Sequence, residues 1–171
     1  MEVNLQVVGV FYNSNVTVDG DAPTVETLLQ AAHKTPGNAG DRNPANAFSY
    51  STNTDNGRVF ASGFMASFEN PVKSRVLGGK TYPAGSYKLA ENLGARPAYT
   101  VWQYYMFDKD GRYLNTFGNA TPFSMQSLTD VPVPGTKETA DVARVTWRLV
   151  SILAGPTGPV ADDKMSTYIG V

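Results

Sequence analysis

"AYTVWQYYMFDKDGRYL", residues 98–114, sets six aromatic side chains in seventeen positions and then a charged, glycine-containing turn. Nothing else in the chain restricts the fold so tightly. Alternation along a strand puts Tyr99, Val101, Gln103, Tyr105 and Phe107 on one face, and Thr100, Trp102, Tyr104 and Met106 on the other. Both faces therefore hold large apolar groups. One must cover a core; the other needs more protein, a ligand or a partner, because exposed Trp–Tyr–Met patches are unusual on a monomer. "VARVTWRLVSIL" poses the same demand, with Val145, Trp147 and Leu149 on one face and Arg148, Val150 and Ile152 on the other.

Around these two strands the chain reads as one domain, residues 1–171, a length at which a single core can form without disulfides or metals. Residues 3–11 alternate well enough for a first strand. "YNSN" has turn chemistry, and "VTVDG" supplies a short partner strand to complete a hairpin. The one convincing helix lies in "DAPTVETLLQAAHKTPGNAG". Val25, Leu28, Leu29 and Ala32 form an apolar stripe, Thr24 is placed as N-cap, and Pro36–Gly37 ends the helix. Strands follow at "AFSYST" and "GRVFASGFMASF" around the turn "NTDNG", then around Ser74–Leu77 and Ser86–Leu89. Residues 155–171 form a tail after a Gly/Pro break, either loosely attached or docked as an edge element.

Composition removes several functions. There is no cysteine and one histidine, so neither a thiolate nor a His-cluster metal site is available. Fourteen Lys and Arg against fifteen Asp and Glu, without a basic cluster, argue against a nucleic-acid partner. No apolar run reaches the length of a membrane span, and the start lacks signal-peptide features. A cytoplasmic location without a membrane partner is expected; a mature exported form with an added Met1 would read the same.

Three motifs reduce to turns or surface features. "GGKT" at 78–81 lacks the upstream glycine of a phosphate loop, since Ser74 stands there, and Tyr82–Pro83 follows in place of a helix. "DKDGR" begins like a calcium loop, but Asn119 occupies the position of the closing glutamate and both flanks read as strands. His33, beside Lys34 at a helix C-terminus, reads as a surface histidine favoured by the helix dipole. Glu69 and Arg148 are the charges nearest apolar sequence, and burial would oblige them to pair.

"VTVDGDAPTVETLLQAA", "FSYSTNTDNGRVFASGFMASF", "VWQYYMFDKDG" and "DVARVTWRLV", about half the chain, together resemble the C-terminal β-grasp domain of cobalamin carriers of the transcobalamin type. Residues 71–97 and the C-terminal tail have no counterpart in it. The resemblance implies a fold, a mixed sheet gripping one helix, and not cobalamin binding, whose contact residues are not matched.

These readings converge on an α+β, mostly β domain: a β-grasp-like mixed sheet packed on one helix, with a β-barrel plugged by one helix as the alternative. The leading functional expectation is a small-molecule binding protein. Its pocket, for a largely apolar or aromatic molecule, would be lined by Trp102, Tyr104, Met106, Phe123, Met125, Trp147 and Arg148. The alternatives are a cofactor-independent cyclase or isomerase using Glu69 or Tyr104 as acid or base, and an assembly subunit whose second aromatic face is buried in a homo-oligomer. None of the three calls for a cofactor or a metal.

Overall fold

The computed structural model describes residues 1–74, 79–114, 127–131, 133, 142–155 and 158–162. Two antiparallel strands, β1 (Glu2–Val7) and β2 (Tyr12–Thr17), open the chain and lead into the helix α1 (Val25–Lys34). A long hairpin follows, β3 (Ala47–Asp55) and β4 (Arg58–Phe68), then a two-stranded ribbon of β5 (Val72–Lys73) and β6 (Thr81–Tyr82). β7 (Gly85–Ala90) joins β4, and β8 (Ala98–Phe107), β9 (Arg144–Gly155) and β10 (Gly158–Asp162) complete the order.

β9 organises the main sheet. β8 runs antiparallel along one of its edges, from Ala98↔Leu153 to Phe107↔Arg144. On the other edge its first half pairs parallel with β1 and its second half antiparallel with β10. The order β2–β1–β9–β8, with a parallel pair at the centre and a helix after the first hairpin, is the β-grasp-like arrangement of an α+β, mostly β domain. The first part of the expected tail is thus an edge strand. β3, β4 and β7 form a separate antiparallel sheet, so the strands among the described residues do not close into the barrel held as the alternative.

The helix begins and ends where its sequence requires. Thr24 is the N-cap: its Oγ1 accepts from Thr27 N–H at 3.3 Å, and Thr27 Oγ1 returns the bond from Thr24 N–H at 3.2 Å. The first-turn amides of Val25 and Glu26 donate to the carbonyls of Val131 and Leu128, so a segment distant in sequence satisfies them. Val25, Leu28, Leu29 and Ala32 are fully buried against the core. Burial of each leucine contributes about 1.5–3 kcal/mol. His33, at the last turn, donates from Nδ1 to the carbonyl of Phe48 at 2.8 Å and ties α1 to β3.

The first hairpin differs from its sequence reading. The turn is not "YNSN" but Val8–Phe11, where Gly9 (φ 96°) and Phe11 (φ 62°) adopt left-handed backbone. Residues 12–15 belong to β2. Turn propensity loses here to side-chain placement. Tyr12, Ser14 and Val16 point inward and are buried, while Asn13 and Asn15 point outward, where their amides meet Asn4 on β1. Asn56 (φ 49°) and Gly57 (φ 76°), by contrast, make the expected tight turn between β3 and β4. Most of the strand expected at 74–77 lies outside the described residues.

The core fills the space between the main sheet and the β3–β4–β7 sheet. Phe64 of β4 meets Trp102 edge-on at 4.8 Å and Trp147 at 5.1 Å between ring centroids, and Phe48 of β3 lies 4.1 Å from Tyr12. Ring contacts of this kind contribute about 0.5–1.5 kcal/mol each beyond the area they bury.

Candidate functional site

Of the residues expected to line a pocket, Trp102, Tyr104, Met106 and Trp147 come together on the inner face of β8 and β9. All four are buried, each 2% exposed or less. The rings of Tyr104 and Trp147 lie 4.6 Å apart, and Phe64 closes the cluster from the opposite sheet. Their place is the hydrophobic core, which identifies the inner face of 99–107 as the face of Trp102. Both indole N–H groups are buried without an acceptor among the described residues, at a cost of about 1–3 kcal/mol each. Burial, with a smaller contribution from the charge of Asp130, pushes the Tyr104 hydroxyl far above the usual phenol range and away from proton transfer near neutral pH.

The remaining expected residues separate from this group. Arg148 stands on the opposite face of β9 from Trp147, with its guanidinium 5.7 Å from the ring centre of Tyr105. Glu69 is exposed beyond the end of β4, so no buried Glu69–Arg148 pair forms. Phe123 and Met125 lie outside the described residues.

The outer face of the main sheet is organised differently, and sequence reading passed over most of it. Register places two rows of side chains across four strands. One runs Asn15, Asn4, Arg144, Phe107; the next runs Asn13, Gln6, Thr146, Tyr105. Side-chain hydrogen bonds connect them. Asn4 Nδ2 donates to Asn13 Oδ1 (2.9 Å) and Asn15 Oδ1 (3.0 Å), and Gln6 Nε2 donates to Asn4 Oδ1 (2.9 Å). Thr146 Oγ1 donates to Gln6 Oε1 at 3.2 Å, and Tyr105 donates its hydroxyl to Gln103 Oε1 at 2.7 Å. An amide holds two donors and two acceptor lone pairs. This row orients each amide and leaves Asn13 Nδ2 and one N–H of Gln6 without a partner among the described residues.

Two depressions open on that face and share Asn4 and Asn13 as a common wall. The larger, about 340 Å³, is bounded also by Gln6, Asp108, Lys109 and Arg144. The smaller, about 180 Å³, reaches Asn15 and the 40–43 loop with Asp41 and Arg42. The two carboxylates are engaged locally. Asp108 Oδ1 accepts from the amides of Asp110 (2.9 Å) and Arg112 (2.8 Å), which builds the hairpin turn after β8. Asp41 Oδ2 accepts from Ser14 Oγ and from Asn38 N–H, both at 2.6 Å.

Arg144 is half-buried. Its guanidinium lies 4.1 Å from the ring centre of Phe107, and it makes no ion pair or hydrogen bond among the described residues. The signal that could have found this face was present: polar residues at Asn4, Gln6, Asn13 and Asn15 alternate with apolar ones across a hairpin. Reading "YNSN" as a turn concealed it.

Among the described residues no group of three or more His, Asp or Glu side chains is placed to hold a metal ion, and no helix is long and apolar enough to cross a membrane. The chain matches no protein-family model, no curated protein and no solved structure.

Proposed function

We propose that this protein is a binding module for a small, hydroxyl-rich ligand of the saccharide class, held on the outer face of the main sheet. The observation behind this reading is the amide row Asn13–Asn4–Gln6, orientated by its own hydrogen bonds and lying in the wall and floor of the 340 Å³ groove. Polar groups fixed before binding need little further ordering, and paired donors and acceptors suit vicinal hydroxyls. Tyr113, 46% exposed and set against Tyr105 and Phe107 at 5.9 and 5.7 Å, supplies an aromatic surface beside the groove.

This reading keeps the binding function expected from sequence and moves the site from the inner to the outer face, because the inner aromatic side chains pack on one another. The transcobalamin-type resemblance enters it as fold alone. The carboxylates around the amide row are engaged in local bonds, Asp41 and Asp108 in their loops and Glu2 with Asn15 Nδ2 at 3.3 Å, and Tyr104 and Glu69 do not line the groove.

Amide-resolved NMR of the whole protein, titrated with a panel of neutral and acidic oligosaccharides, tests the proposal. Saturable shifts of the side-chain amide signals of Asn4, Gln6 and Asn13 are expected with at least one member. No shift with any member, or shifts confined to another face, would overturn it.

A further inference from the structure

Arg144 is a half-buried cation that makes no ion pair among the described residues. Four observations concern it. It projects from the middle of the sheet, flanked by Asn4 on β1 and Phe107 on β8, so its backbone position is held by pairing on both edges. Its guanidinium lies over Phe107 at 4.1 Å, a contact that positions the charge without using its N–H groups. Its Nε is buried and has no hydrogen-bond partner among the described residues. It lines the same groove as Asn4, Gln6 and Asn13.

A half-buried cation is ordinarily matched by a carboxylate, because desolvation without a partner is costly. The nearest carboxylate along the groove, Asp108, is turned into its own loop by two backbone amides and makes no ion pair with Arg144. Lys109 adds a second positive charge to the rim, so the groove lining holds two cations against the one carboxylate of Asp108, while Asp41 and Arg42 balance in the adjoining depression. The excess of positive charge at the Arg144 end favours an anion there.

We infer that the ligand is an acidic saccharide, and that Arg144 binds its carboxylate while the Asn13–Asn4–Gln6 row binds its hydroxyls. The inference rests on the saccharide reading above and goes further by assigning the charge of the ligand and the residue that reads it. A guanidinium seated on an aromatic ring keeps its terminal N–H donors for a carboxylate, which its fork can bind in a bidentate pair. A neutral hydroxyl or an ester at the same place leaves that fork without a charged partner.

The test compares each acidic oligosaccharide with its own methyl ester, for example an oligogalacturonate and its fully esterified form, by calorimetry and amide-resolved NMR on the intact protein. The acid is expected to bind at least about tenfold more tightly than the ester, an advantage that falls as salt is raised. In Arg144→Gln the preference for acid over ester is expected to disappear, and Arg144→Lys should retain part of it. The acid–ester comparison on the unaltered protein needs no variant, so loss of fold in Arg144→Gln would not remove the test. Equal binding of acid and ester would overturn the assignment of charge and leave the saccharide reading standing. No binding of either form, with the amide row unmoved, would overturn both.

Discussion

Phe64 of the three-stranded sheet meets Trp102 of the main sheet edge-on, with ring centroids 4.8 Å apart. The same ring touches Trp147 at 5.1 Å and stacks toward Phe48 at 6.1 Å, so one side chain joins both sheets at the centre of the core. Phe64→Ala is expected to lower unfolding free energy by about 3–5 kcal/mol, and Phe64→Leu by clearly less. Denaturant melts followed by tryptophan fluorescence measure both. Equal, small losses would show that the two sheets are not held together at this point.

Asp41 covers the outer edge of β2 from a loop. Its carboxylate accepts from Ser14 Oγ at 2.6 Å and, more weakly, from Asn15 N–H at 3.4 Å, while Asn38 N–H holds it in position. Asp41→Ala should cost about 1.5–3 kcal/mol, the range for hydrogen bonds to a charged group. It should also speed hydrogen exchange at Asn15 more than at Asn4. Unchanged exchange at Asn15 would show that the loop does not guard this edge.

Alkaline pH should unfold the protein through two tyrosines. Burial pushes the hydroxyls of Tyr12 and Tyr104 well above the ordinary phenol value of 10.0. Above that value the unfolded chain loses these protons while the folded chain keeps them. The contribution is therefore complete below about pH 10 and is lost as pH rises further. Denaturant midpoints measured across this range, alongside tyrosinate absorbance, should fall less steeply in Tyr104→Phe than in the unaltered protein. An equal slope would place the alkaline sensitivity elsewhere.

Gly9 cannot take a side chain without strain. Its φ is 96°, and a Cβ built there would lie 2.3 Å from Leu89 Cδ1 on β7. The leucine can rotate away, but the backbone conformation remains unfavourable for an L-residue. Gly9→Ala is expected to cost roughly 1–3 kcal/mol, and Leu89→Ala in the same chain should recover only the steric part. Full recovery would show that backbone strain at this turn is negligible.

Much of the architecture was legible from local pattern. The spacing of Val25, Leu28, Leu29 and Ala32, the cap at Thr24, the Asn56–Gly57 turn and the Asp108–Gly111 turn depend on interactions within a few residues, and these stand where local rules put them. Alternation also separated Trp102, Tyr104 and Met106 from Gln103, Tyr105 and Phe107. It could not say which set is inside, since both are large and apolar. Local pattern failed at residues 12–15, where the turn propensity of asparagine was outweighed by cross-strand amide bonds.

Periodicity, capping and glycine conformation are local properties, so the order of residues alone settles where the backbone can be helical, extended or turned. The tertiary structure decided which face is core and which residues share a site. Gln6 and Thr146, 140 positions apart, meet only because β1 and β9 pair in parallel. That same pairing sets Arg144 beside Asn4, and no local rule contains it, because register across a sheet follows from burying every inner face at once.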